Sequence, residues 1–154
     1  MLRLNCASTI VLVATVSTLG LATAAGAANP DHLKQLAETR ECQNCDLTGA
    51  NLSGLNLGSA NLNGSDLRGA NLNGAYLGGA SLVKANLSGA DLQKVRFDRA
   101  NLQKANFTTA NLNGADLSSS DLREAYLFAA TGKFAVDGAQ MQNTIMPDGT
   151  PRNP

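Results

Sequence analysis

From residue 45 to residue 129 a large apolar residue recurs at every fifth position, with a small residue two places ahead of it and polar residues between. In GANLNGAYLGGASL, residues 69 to 82, alanine stands at 70, 75 and 80 and leucine at 72, 77 and 82. An amphipathic helix repeats near 3.6 residues and a half-buried strand at 2, so neither produces this rhythm. The register holds for seventeen consecutive units, centred on every fifth residue from Leu47 to Leu127, and the centre is leucine except at Phe97 and Phe107. Two places before the centre stands alanine or serine, except at Cys45, Leu55 and Val95. The residue just before the centre is usually Asn or Asp, and glycine commonly closes the unit.

An unbroken period of this kind marks a solenoid, in which each coil buries its apolar side only by stacking on its neighbours. One small and one large inward position per unit describe a wall that turns a corner every five residues. Buried leucine contributes about 1.5–3 kcal/mol per side chain, and alanine suits the tight corner. Asn, Asp and Gly are the residues that a continually bending chain requires.

The units ANLSG (50 to 54), ANLNG (60 to 64), ADLQK (90 to 94) and ADLSS (115 to 119) resemble the pentapeptide repeat family, whose motif is A(D/N)LXX. The resemblance implies an all-β solenoid, a right-handed quadrilateral β-helix with four units per coil, here with a short N-terminal capping helix. It implies a shape more than a chemistry. Members are abundant in cyanobacteria, and exported ones resembling this chain occur in the periplasm or thylakoid lumen.

Outside the repeat the chain divides into three further parts. Residues 1–28 read as a signal peptide: Arg3 is the positive end, Ile10 to Leu21 the apolar run, and AAGAAN (24 to 29) the small residues favoured at cleavage. Residues 29–44 read as a capping helix and linker, with Asn29 as N-cap, Pro30 at the first helical position, Asp31 near the positive dipole end, and Leu33, Leu36 and Ala37 as the apolar face. The repeat itself is expected over 45–129. Over 130–154 the rhythm breaks, and we expect two degenerate units centred on Met141 and Met146, a C-terminal cap drawing on Phe134 and Ile145, then turns and a polar tail.

Composition narrows the functions. Lys and Arg number 12 and Asp and Glu 12, so no strong field favours nucleic acid or a membrane surface. With one histidine and no nucleophile, base and orienter in evident relation, the chain is expected to be no enzyme and to hold no cofactor or metal. In an exported protein Cys42 and Cys45 are expected to pair as a disulfide joining cap to solenoid. Residues twenty apart should stack, which puts Tyr76, Arg96 and Asp116 in one row, the arginine against the ring and pairing with the carboxylate. Lys84, Lys104 and Glu124 form another row.

The sequence therefore predicts a rigid interaction or scaffold module acting on a protein partner it does not identify, as monomer or homodimer, in the periplasm, the thylakoid lumen or the medium. Two alternatives stay open. The resemblance brings a gyrase-interacting mimic of DNA, an activity that needs an acidic face and a cytosolic chain. The Cys42/Cys45 pair brings a redox role.

Overall fold

The computed structural model describes residues 28–152. All of the expected leader but Ala28 lies outside the described residues. Along the repeat the main chain pairs with itself one coil on. Parallel bridges join Asp46 to Asp66, Asn51 to Asn71, Asn56 to Tyr76 and Asn61 to Ser81, and the same twenty-residue step continues to Asn111 with Thr131. A turn closes each five-residue unit, so a coil has four corners. Two of the four faces are six rungs deep and two are five.

The unit Ala70–Gly74 explains the composition of all the others, because each of its five amides has a different assignment. Ala70 N–H donates to Leu67 C=O across the turn at 3.1 Å, and Asn71 N–H to Ala50 C=O of the preceding coil at 2.8 Å. Leu72 and Gly74 N–H donate forward to Asp91 and Gln93 C=O, each at 2.8 Å. The remaining amide, Asn73 N–H, has no coil to meet and donates to the Oδ1 of Asn71 at 3.0 Å. A short side-chain acceptor two residues back is what Asn and Asp supply; that is why they precede the centre. The last residue of the unit has positive φ, 66° at Gly74, which fits glycine at the third place of a type II turn.

Leucine centres and alanine corners point inward and are buried along the whole stack. Phe97 and Phe107 come from opposite faces of one coil and meet edge to face, centroids 6.1 Å apart at 82°. Val95, at a normally small position, is fully buried, while its row-mate Leu55 is half-buried. Helix α1, Pro30–Thr39, lies at the N-terminal end. The Asn29 side chain accepts from Asp31 N–H at 2.9 Å as N-cap, Arg40 ends the helix in the left-handed region, and Leu36 is buried in the core. Among the described residues no helix is long and apolar enough to cross a membrane.

The structure departs from the expected boundaries at both ends. The ladder begins at Glu41, which bridges Asn61, so Cys42 occupies a centre and the first coil starts one unit before residue 45. Arg40 and Cys42 hid that unit by standing where alanine and leucine are usual. At the other end the coil continues through 130–138. Thr131 and Ala135 take successive rung positions, which makes this unit one residue short. The last three bridges, Asp116 with Ala135, Asp121 with Gln140 and Tyr126 with Ile145, therefore span nineteen residues. Met141 and Met146 follow at centres. The tail expected as turns includes a strand instead: β1, Thr144–Ile145, pairs antiparallel with β2, Pro151–Arg152.

Candidate functional site

The fold sorts outward side chains into rows, and the row of Tyr76 and Arg96 builds a surface feature. Tyr76 lies flat across its face. A Cβ on Gly78 would fall 2.3 Å from the Tyr76 hydroxyl oxygen, and one on Gly58, a coil earlier, 2.7 Å from the ring. These two are the only glycines at the fourth place of the seventeen units, and both are buried beneath the tyrosine. Arg96 stacks above, its Cζ 4.9 Å from the ring centroid, a cation–π contact.

The carboxylate that meets Arg96 is not Asp116. Arg96 Nη2 lies 3.3 Å from Asp98 Oδ1 and Arg99 Nη2 3.3 Å from Asp98 Oδ2, so one aspartate, 17% exposed, sits between two arginines that are 61% and 76% exposed. Asp116 is committed elsewhere: its Oδ1 accepts from Ser118 N–H at 3.0 Å, and hydrogen bonding to Ser118, by its side chain first and its amide second, holds the Asp116 carboxyl below the usual range. At the N-terminal margin Arg40 Nη1 donates to Gly58 C=O at 3.3 Å. The feature is thus a tyrosine on a glycine bed, flanked by guanidinium groups. Sequence reading found the row but not the glycines or Asp98; the signal was glycine at the fourth place of two units twenty residues apart.

The second row behaves as an edge. Lys84, Lys104 and Glu124 stand at one corner in left-handed conformation, with Lys104 Nζ 3.4 Å from Glu124 Oε2. Elsewhere Arg68 and Arg123 fold back onto Asp66 and Asp121 at 2.7 and 2.6 Å. These hydrogen bonds hold both carboxyls below their ordinary values and raise both arginines.

Cys42 and Cys45 lie within one coil, their sulfurs 2.07 Å apart and both buried. The pair was expected to join cap to solenoid. Instead it links the centre of the first unit to the small position of the next, across an inner corner. The hydroxyl of Ser65, from the coil beyond, inserts at that corner, accepting from Cys45 N–H at 3.2 Å and donating to Cys42 C=O. Among the described residues no group of three or more His, Cys, Asp or Glu is placed to hold a metal ion.

A stack of four-cornered coils with Asn or Asp before most of the leucine centres defines a class of solenoid. The family model for pentapeptide repeats matches in 8 copies, over residues 41–79, 60–99, 70–108 and 92–127. The chain belongs to the pentapeptide repeat family. Its match begins at residue 41, where the ladder begins. Among solved structures it is similar to HetL, a pentapeptide repeat protein involved in heterocyst differentiation regulation in the cyanobacterium Nostoc sp. strain PCC 7120, at 30% identity and TM-score 0.59, over 73% of this chain and 66% of HetL. It is similar to Rfr23 from the cyanobacterium Cyanothece 51142 at 30% identity and TM-score 0.58, over 75% of this chain and 97% of that one. It is also similar to alr5209 from Nostoc PCC 7120 at 32% identity and TM-score 0.59, over 74% and 95%. These neighbours imply the right-handed quadrilateral β-helix. No curated protein matches the chain.

Proposed function

We propose that the protein is an exported, non-enzymatic interaction module whose Tyr76–Arg96 face docks a protein partner in the periplasm or thylakoid lumen. The observation that carries the reading is the tyrosine held flat on Gly58 and Gly78 under Arg96. Tyrosine and arginine are the side chains most enriched at binding hot spots. Here the ladder fixes both beforehand, which lowers the entropy lost on docking. Exposed guanidinium groups at Arg96 and Arg99 suit a partner surface carrying carboxylates. The leader pattern of residues 1–28 and the bonded Cys42–Cys45 pair support the oxidising, exported compartment.

The test is cross-linking of the protein in the cell that makes it. A reproducible partner should be recovered from the exported fraction, and the double variant Tyr76→Ala, Arg96→Ala should lower its yield by at least about tenfold, in line with a hot spot of 2 kcal/mol or more. Substitutions at the Lys84/Lys104 corner, a face away, should leave it unchanged. Recovery that is indifferent to Tyr76 and Arg96, or no reproducible partner, overturns the reading.

A further inference from the structure

We propose that His32, the only histidine in the chain, is a pH-sensitive latch on the N-terminal lid. Within the stack, the amide of the residue before each centre donates to a carbonyl of the preceding coil; Asn61 N–H meets Arg40 C=O and Asp66 N–H meets Cys45 C=O. Asp46 belongs to the first coil and has no coil before it. Its amide donates to the Nδ1 of His32 at 2.9 Å, and its carbonyl accepts from Asn29 N–H at 3.0 Å. The first turn of α1 thus substitutes for a missing rung, with an imidazole nitrogen in place of a backbone oxygen.

That substitution has a condition no other rung has. The donor is a main-chain amide, so Nδ1 must carry a lone pair and the ring proton must sit on Nε2. A proton on Nδ1 turns the acceptor into a donor and sets two N–H groups against each other. Histidine is the side chain whose charge changes between pH 5 and 8, whereas the carbonyls of the other rungs do not titrate at all. The charged residues nearest the ring along its helix are Asp31 and Lys34; on the coil Asp46 carries a carboxylate that acts on Arg68, and its rung partner Asp66 is paired with Arg68 at 2.7 Å. The carboxylates can accompany an imidazolium, but they cannot restore an acceptor to the Asp46 amide. The positive end of α1 adds repulsion against a cation three residues from its N-cap.

Acid therefore loosens the first helical turn while Leu36, buried under the other end, keeps α1 attached. The loosened side is the one that covers the disulfide, since the His32 carbonyl lies 3.4 Å from Cys42 Sγ.

Amide hydrogen exchange on the full chain tests this, comparing the protection factor of Asp46 N–H at pH 7.5 and pH 5 with Asp66 N–H as internal reference. Wild type should lose at least about threefold in protection at Asp46 on acidification, a fraction of what one full hydrogen bond supplies, while Asp66 stays level. His32→Asn, whose Oδ1 can accept without titrating, should hold Asp46 protection level across the two pH values. His32→Ala should be weakly protected at both. A wild type that is level, a His32→Asn variant that falls as wild type does, or a His32→Ala variant fully protected at pH 7.5 overturns the proposal.

Discussion

An Asn or Asp before a centre serves the main chain first and the surface second, and this decides several outcomes. Asp121 accepts from Arg123 N–H at 3.2 Å as a turn acceptor and pairs with the guanidinium at 2.6 Å. Because the Arg123 bond holds its folded-state carboxyl below the ordinary value of about 3.9, it stabilises the fold above that pH and the contribution is lost as pH falls through the lowered value. Asp121→Asn keeps the turn acceptor and removes the charge; urea titrations should show a stability deficit at pH 7 that shrinks progressively as pH falls below about 4. Lys84 holds φ at 60°, a conformation that costs a non-glycine residue about 1–2 kcal/mol. Offset by glycine's greater chain entropy, Lys84→Gly should raise stability by up to about 1 kcal/mol. At Gly78, alanine should evict the Tyr76 ring with little global cost, visible as a change in the tyrosine ring-proton shifts. The inward pattern was legible because leucine and alanine have no alternative use in it. The Arg96–Asp98 contact was not, because stacking distance alone does not show that Asp116 is already bound to its own turn.

Among the elements, the first coil is the one built differently. The first of its four centres is Cys42 in place of leucine, and a disulfide and a serine hydroxyl fill the corner. Closing so short a loop restricts the unfolded chain modestly, by about 2 kcal/mol. The double variant Cys42→Ala, Cys45→Ala should lose about that much in urea unfolding, and reduction of the wild type should approach the same value. The sequence concealed this coil because arginine and cysteine occupy the places by which the others are recognised. The nine residues of 130–138 already fell one short of a multiple of five, but which unit is short showed only in the bridges, because Gly132 has no side chain to mark its place in the count. Helix α1 was legible throughout, since Asn-Pro-Asp is an N-terminal signal that needs no tertiary context. Its grip through His32 was not, because the missing rung exists only once the coil is closed.

Across the whole molecule, stability is the sum of coils and of contacts between neighbours. Deleting residues 61–80 removes one full coil and joins Ala60 to Ser81 with every row intact; circular dichroism and urea unfolding should show a shorter but cooperative rod. Deleting only residues 61–70 turns every later coil by half a turn, so that no outward row continues across the junction, and should cost more than half as much. The same forward bonds also govern how the molecule ages. Asn63–Gly64, Asn73–Gly74 and Asn113–Gly114 are Asn-Gly steps, the dipeptide at which the glycine nitrogen readily attacks the asparagine side chain and expels ammonia. In the coil each of these nitrogens donates to the next turn, Gly64 to Val83 C=O at 2.9 Å, Gly74 to Gln93 at 2.8 Å and Gly114 to Lys133 at 2.7 Å. Held in that direction, the nitrogen faces away from the reaction. The rod that presents its faces to a partner thereby shelters its most perishable bonds, and a sample stored folded should keep its amides long after an unfolded one has begun to gain acid.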